Sequence, residues 1–584
     1  VKRALRSPIL WGVLAATLVA APHVPLYRFV ASDLLQLGII EGTIERPGVA
    51  PLNLFTFSDG SAELNRAAIA SGEFPWFTDP GWKMDFFRPL ASLSTAVCHA
   101  LFGRDPFGYA LVGLLWYLAL VASLAALARQ ALGREDDGSG PIACLSAVLF
   151  AFATRNVATF LYNAARWVLV ASTFGLVAVL AHLRWRRNGW TPGRWLAPLA
   201  LCLSLLGGES GLVFAGFILA WELVAPEEPR ERVRAALPTV LVVALYLGFY
   251  VANGYGTAGQ DAYLNPADAP WAFLVAAPLR AFSVVSEMVF GAVSLFSLSS
   301  LGLSALLQSA IGVGALAVLA LLVVPVARGA SRDRRRVTLW LALGTAGSLV
   351  PALASVPGYR AAIVPFLGGS VLLAIGLYGA WRRWRTRRSA FAWLTALVAL
   401  ALGVIHLGYS PYLWLASVGP TRAYLEAEEA SPQTSGLEEI EAGDTAVFLD
   451  GGWFIQTYYE YNERRIHDQV IPAAWRQLSA SSGEHRYTRP DERTLDLELP
   501  DGGMFRDEFL YAFRTRRRPL ATGDTVELPG LLIEILASGP DGPTRLRYRF
   551  EHPLEDPRYR FYRWQKGAFV AEEPPAIGSR LTLP

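Results

Sequence analysis

The chain has 584 residues, 53% of them hydrophobic and 17% charged, with a net charge of +3 and a mean hydropathy of +0.33. The apolar residues come in blocks of the roughly 18 to 20 residues that a bilayer-spanning helix needs, which excludes an ordinary soluble enzyme. Basic residues gather at the block edges, a mark of membrane topology and not of nucleic-acid binding.

The first block, about Ile9 to Val30, follows Lys2, Arg3 and Arg6. With no small-residue cleavage motif after it, it reads as a retained helix. Val1 reads as a GTG start codon translated literally, and with arginine almost replacing lysine this points to a bacterial plasma membrane. Basic clusters recur at Arg184 to Arg194, Arg230 to Arg234, Arg332 to Arg336 and Arg382 to Arg388, and all should be cytoplasmic.

That condition makes the loop at residues 31–105 extracytoplasmic and forbids Pro89 to Phe102 (89–102) from crossing. Its pattern agrees. Leu90, Leu93, Val97 and Leu101 share one helical face, opposite Arg88, Ser92, Thr95 and His99, so an interfacial helix is expected. Spans then follow at about Pro106 to Leu132, Pro141 to Asn156, Val157 to Leu183, Trp195 to Leu206, Gly211 to Ala225 and Ala235 to Ala252. After Trp271 to Leu301, which fits one interfacial helix, a re-entrant segment or an extra pair of crossings, come Leu303 to Ala327, Val337 to Val356, Ala361 to Trp381 and Ala390 to Leu407.

The fold expected is a polytopic α-helical membrane domain over residues 1–420, with about eleven transmembrane helices. Residues 421–584 turn soluble in composition, with short β-prone segments between Gly, Pro and Asp turns. They predict an extracytoplasmic β-rich domain, with Ser431 to Gly436 as its linker.

The first loop concentrates Asp59, Glu63, Asp79, Lys83, Asp85 and Arg88 beside the bilayer. Lys83 is one of only three lysines, with Lys2 and Lys566. Cys98, Cys144 and Cys202 show no metal-ligand or disulfide spacing, and P-loop, GxSxG and HExxH motifs are absent.

Several motifs carry a family likeness. Asp59 in the first loop, Phe86-Phe87-Arg88-Pro89-Leu90, Leu101-Phe102-Gly103-Arg104-Asp105-Pro106, Tyr162-Asn163-Ala164-Ala165-Arg166, the Gly207-Gly208-Glu209-Ser210 turn and Gly358-Tyr359-Arg360 together resemble the GT-C superfamily of membrane glycosyltransferases. The nearest likeness is to aminoarabinose and O-mannosyl transferases, over about Ile9 to Leu407. The resemblance implies inverting transfer of a sugar from a polyprenyl-phosphate carrier to a glycan, lipid or protein acceptor on the extracytoplasmic face of the cell envelope. An acid of the first loop would be the base.

Such a reaction needs a base for the acceptor and cations for the departing phosphate. Asp59 is the first choice of base and Asp85 the second; against this, Ser58-Asp59-Gly60 also reads as a solvated turn. Lys83, Arg88, Arg166 and Arg360 are candidates for phosphate binding. Arg88 could instead meet lipid headgroups, and Arg155 and Arg360 could snorkel to the interface. Arg166 is expected about two turns inside an apolar span, where an ionisable group needs a partner. Glu209 is expected to bridge to one of these arginines.

The acids lack metal-ligand spacing, so no cofactor or metal is assigned, although carboxylates meeting a phosphate would admit a divalent cation. Several lipid-sugar transferases carry a lysine at the turn where this chain has Glu209. A second reading follows from that departure: a catalytically inactive GT-C-like assembly factor or lipid-carrier-binding protein.

Overall fold

The computed structural model describes residues 7–44, 51–133, 138–264, 266, 269–291, 304–355, 359–387, 389–423, 436–452, 454–481 and 483–584. The basic start Lys2, Arg3 and Arg6, residue Gly358 and the linker positions 431–435 lie outside them.

The protein is a multi-pass helical membrane protein with a β-rich C-terminal region. Among the described residues nine helical stretches are long and apolar enough to cross a membrane, and four apolar helices are shorter. The bundle comprises α1 (Pro8–Ala20), α5 (Pro106–Leu132), α6 (Ser139–Phe152), α8 (Trp167–Asn188), α9 (Gly193–Gly207), α10 (Gly211–Val224) and α11 (Pro229–Ala252). It continues with α12 (Pro270–Phe290), α13 (Ala305–Arg328), α14 (Arg332–Leu353), α15 (Tyr359–Thr386) and α16, which begins at Ala390 and carries a π-helical turn at Val404–Tyr409. Short α2 (Ser32–Glu41), α3 (Ala62–Ser71), α4 (Pro89–Phe102) and α7 (Asn156–Phe160) lie between them.

Small residues let the helices close. A Cβ on Gly12 of α1 would stand 2.8 Å from Ala147 of α6, and one on Gly175 of α8 would stand 2.1 Å from the Phe214 ring of α10. Asp105 and Ser331 cap the starts of α5 and α14 by accepting from free backbone N–H groups there.

The helix ends define two poles. At one, the start of α1 meets Arg184, Arg187 and Arg334; at the other, the first loop meets the C-terminal region. The C-terminal region and the start of α1 stand at opposite poles, so the number of crossings is odd.

Of the ambiguous stretch Trp271 to Leu301, residues 292–301 lie outside the described residues, and the part before them is placed by its neighbours. Val289 near the end of α12 meets His406 Nε2 at 2.9 Å, and His406 stacks on Phe366, only two turns into α15. From its arginine-pole start, α16 rises about 24 Å to reach His406. So α12 stops in the half of the bundle nearer the C-terminal region. Gly312 of α13 packs on Phe282 of α12, while Leu322 meets Gly376 further down α15, so α13 makes the full descent. Counting the pair as one crossing gives eleven among the described residues.

The apolar run from Val157 to Leu183 is not one span. It breaks into α7, a 3-10 turn at Asn163–Ala165 and then α8. Arg166 therefore precedes α8 instead of lying two turns inside a helix, because the apolar side chains of α7 mask the Tyr162-Asn163 break.

Helix α4 has two distinct faces. Leu93, Val97 and Leu101 are exposed along one side, and Ser92, Thr95 and Cys98 are buried on the other. The apolar stripe is exposed while the polar stripe faces protein. Leu54 N donates to Ser92 Oγ, and Asn163 Nδ2 donates to Thr95 Oγ1.

In the C-terminal region, β4 (Thr445–Asp450) lies parallel between β11 (Tyr559–Gln565) and β5 (Ala474–Gln477), with β12 (Ala568–Ala571) at the edge beyond β11. Val447 is registered with Phe561 on one side and Arg476 on the other. A second, antiparallel sheet comprises β6 (His485–Asp491), β7 (Thr494–Glu498), β8 (Thr525–Leu528), β9 (Leu531–Gly539), β10 (Gly542–Phe550) and β13 (Arg580–Leu583), in the order β13-β6-β7-β10-β9-β8.

Alternation puts Leu531, Ile533 and Ile535 of β9 and Leu546, Tyr548 and Phe550 of β10 inside. Phe74, Trp76, Phe77 and Trp82 of the first loop belong to that same core. Trp82 Nε1 donates to Ala512 O at 2.6 Å, and Trp76 Nε1 to Leu478 O at 3.3 Å.

Candidate functional site

A small antiparallel sheet organises the site. Strand β1 (Thr56–Asp59) pairs with β2 (Lys83–Asp85), which pairs with β3 (Gly256–Ala258) from the loop after α11. Pairing sets Asp59 opposite Lys83 and Thr56 opposite Asp85. Asp59 is exposed, and its Oδ1 accepts from Ser61 N at 2.8 Å just ahead of α3. Lys83 Nζ donates to Gly254 O.

Asp85 is buried and accepts from Thr56 Oγ1 at 2.6 Å. Burial raises its pKa, as do the charges of Asp59 and Glu209, against the pull of Thr56 and Lys83.

Three residues beyond Asp85, Arg88 enters the cluster from the start of α4. Its guanidinium lies over the Trp167 ring at 3.8 Å, the Phe86 ring at 4.2 Å and the Phe55 ring at 5.0 Å. Nε donates to Glu209 Oε2 at 2.8 Å, and among the described residues Nη1 and Nη2 make no hydrogen bond. Glu209 Oε1 accepts from Tyr250 OH at 3.3 Å.

Trp167 opens α8, Glu209 stands in the α9–α10 turn and Tyr250 lies in the last turn of α11, so one pole of the bundle supplies all three. The turn must be narrow. A Cβ on Gly208 would stand 2.5 Å from the Trp167 ring.

The structure thus brings Asp59, Lys83, Asp85, Arg88 and Glu209 into one region, with Glu209 bridging to Arg88. Arg166 stands apart. Its Nη1 donates to Cys98 Sγ at 3.2 Å and its Nη2 to Tyr109 O at 2.6 Å, on the far side of the α8 start. Arg360 lies in the first turn of α15, and its side chain is outside the described residues. Arg155 does not snorkel; it is 1% exposed, 3.8 Å from Glu287 and over the Phe366 ring.

Sequence reasoning missed Asp33, Tyr250 and Trp167. Asp33 is fully buried and accepts from Ala164 N at 2.7 Å, Tyr27 OH at 3.0 Å and Asn163 N at 3.3 Å. Burial pushes its carboxyl up to about 7, with those donors and Arg166 pulling the other way. This network pins the first loop to the start of α8. An acid directly after the first apolar block was its only sequence signal. Among the described residues no three His, Cys, Asp or Glu side chains gather into a metal-binding group.

No protein-family model matches the chain, and neither does any curated protein. Solved structures do resemble it. ArnT from Cupriavidus metallidurans bound to undecaprenyl phosphate is 13% identical, with a TM-score of 0.38 over 80% of this chain and 89% of that one. The apo state of ArnT gives 13% identity and a TM-score of 0.40, over 80% and 88%. The archaeal oligosaccharyltransferase AglB from Archaeoglobus fulgidus, in complex with an inhibitory peptide and a dolichol-phosphate, gives 12% and 0.41, over 81% of this chain and 65% of that one.

Proposed function

We propose that this protein is a membrane glycosyltransferase that moves a sugar from a polyprenyl-phosphate carrier to an acceptor on the extracytoplasmic face. The observation that carries the reading is the meeting of Asp85, Lys83 and Arg88 at the pole where α8 and α10 begin and α9 and α11 end, beside helix α4 with its exposed apolar face. The two unused nitrogens of Arg88 suit a phosphate fork, and Lys83 adds a point charge. A buried carboxyl with a raised pKa supports giving the base to Asp85, which takes the acceptor proton as the sugar–phosphate bond breaks. Asp59, across the strand from Lys83, is the alternative base.

The test is turnover of a polyprenyl-phosphate-linked sugar by the purified protein and by Asp85→Asn and Asp59→Asn variants. Loss of turnover with donor binding retained in one of them assigns the base. Unchanged turnover in both ends the enzymatic reading of these acids.

One observation favours a second reading, a lipid-carrier-binding protein without turnover. Glu209 already neutralises Arg88, and three carboxylates stand among two cations at the site. Donor binding without product in the wild type, with unchanged envelope glycans on deletion, would select it.

A further inference from the structure

An aromatic wall stands beside the charged cluster of the candidate site. Phe87, directly before Arg88, meets Phe249 of α11 at 4.8 Å between ring centroids and Tyr255 of the following loop at 5.1 Å. Tyr255 in turn meets Tyr250 at 5.4 Å, and Tyr250 meets Tyr246, one helical turn earlier, at 5.7 Å. Backbone pairing ties the wall to the charges. In the chain Tyr255 lies between Gly254, whose carbonyl accepts from Lys83 Nζ, and Gly256, registered opposite Asp85.

Aromatic side chains at the end of a spanning helix ordinarily anchor it at the membrane surface and need no ligand, their hydroxyls meeting water or headgroups. Tyr246 does not fit that account. It is 8% exposed, and its hydroxyl is buried without a hydrogen-bond partner among the described residues, close enough to Glu209 and Arg88 to feel both charges. Ser210 Oγ, in the α9–α10 turn next to Glu209, is likewise buried and unpartnered among them, while Tyr250 OH is committed to Glu209. A buried phenol hydroxyl left unsatisfied carries a cost that a bound partner would remove. Phe249 is 45% exposed, and Phe87, Tyr250 and Tyr255 are half-buried, so the wall is not sealed.

We infer that this wall is the seat of the transferred sugar, with a pyranose ring lying C–H face against the aromatic rings and one of its hydroxyls meeting Tyr246 OH. The inference rests on the transferase reading above, in which Arg88 and Lys83 hold the phosphate. A polyprenyl chain in the same place would cover the rings but leave the Tyr246 and Ser210 hydroxyls unpartnered, whereas a sugar answers both kinds of group. Ligand sites commonly combine such aromatic surface with a few polar atoms.

The test is equilibrium binding of polyprenyl phosphate and of polyprenyl-phosphate glucose to the full chain in nanodiscs. Stacking tolerates different hydroxyl orientations, so glucose serves as the probe. The wild type should bind the sugar-bearing carrier more tightly than the bare one. Tyr255→Ala should weaken only the sugar-bearing carrier, about tenfold, and Tyr246→Phe should do so about fivefold. Tyr255→Phe keeps a ring and should retain most of the preference. Because the Tyr246 hydroxyl has no partner in the free protein, Tyr246→Phe should not lower the melting temperature, as it would if the hydroxyl served the fold. Equal affinity of the wild type for both ligands, or equal weakening of both in the variants, would overturn the inference and leave the transferase reading standing. A lower melting temperature in Tyr246→Phe would overturn it too. Binding of neither ligand by the wild type would end the transferase reading and the inference together.

Discussion

Arg88 offers the sharpest test of the candidate site. Its Nε is committed to Glu209, so a phosphate can meet only Nη1 and Nη2. Two charge-assisted hydrogen bonds at about 1.5 kcal/mol each give about 3 kcal/mol, or about 100-fold in affinity. Arg88→Gln should therefore weaken binding of polyprenyl phosphate to the purified protein about 100-fold. Arg88→Lys keeps the charge and loses the fork, so its loss should be intermediate. Glu209→Gln tests the sign, because removing the competing carboxylate should tighten phosphate binding if Arg88 is the ligand. The measurement is equilibrium binding in nanodiscs, with thermal unfolding followed alongside. Binding by Arg88→Gln within threefold of wild type, at unchanged melting temperature, would refute the assignment.

Asp85→Asn should lower turnover by about 10² to 10⁴ while donor binding survives. Because the base must be deprotonated, wild-type activity should fall with acid through a pKa above the ordinary 3.8, and a pH–rate profile reads that limb directly. Asp33 makes the opposite kind of pH statement, about stability. An acid raised from 3.8 to about 7 in the folded state binds the proton more tightly there, so stability is greatest at low pH, falls between those values and is flat above. The span is about 4 kcal/mol, and Asp33→Asn should remove the slope in melting experiments across that range. Gly72→Ala should loosen the first loop from the C-terminal region, since the added Cβ would stand 2.0 Å from Trp475 O at a φ of +93°; limited proteolysis within the loop would detect it.

Much of the site was legible because Lys83, Asp85 and Arg88 are close in the chain, and because arginine clusters fix which loops share a side. The two stripes of helix α4 could be read from its spacing. Glu209 as a bridge followed from its lone charge in an apolar turn. What could not be read depends on distant segments. Nothing local to Tyr250 or Trp167 says that both meet the Arg88–Glu209 pair, and Asp33 finds its donors about 130 residues away at Asn163 and Ala164. Arg166 was misread for another reason. Hydropathy records that Val157 to Leu183 is apolar but not that the chain turns at Asn163. The aromatic residues of the first loop gave no hint that their core lies in β9 and β10.

That shared core has a consequence for synthesis. Trp76 and Trp82 find their hydrogen-bond partners 402 and 430 residues later in the chain. At translation rates of about 5 to 20 residues per second, the loop emerges roughly 20 to 80 seconds before those partners exist. During that interval Phe74, Trp76, Phe77 and Trp82 have no core to enter. Nascent chains should therefore need a holdase or the membrane surface to shelter four aromatic side chains, and truncation before β4 should leave the loop an aggregation hazard rather than a smaller version of the site.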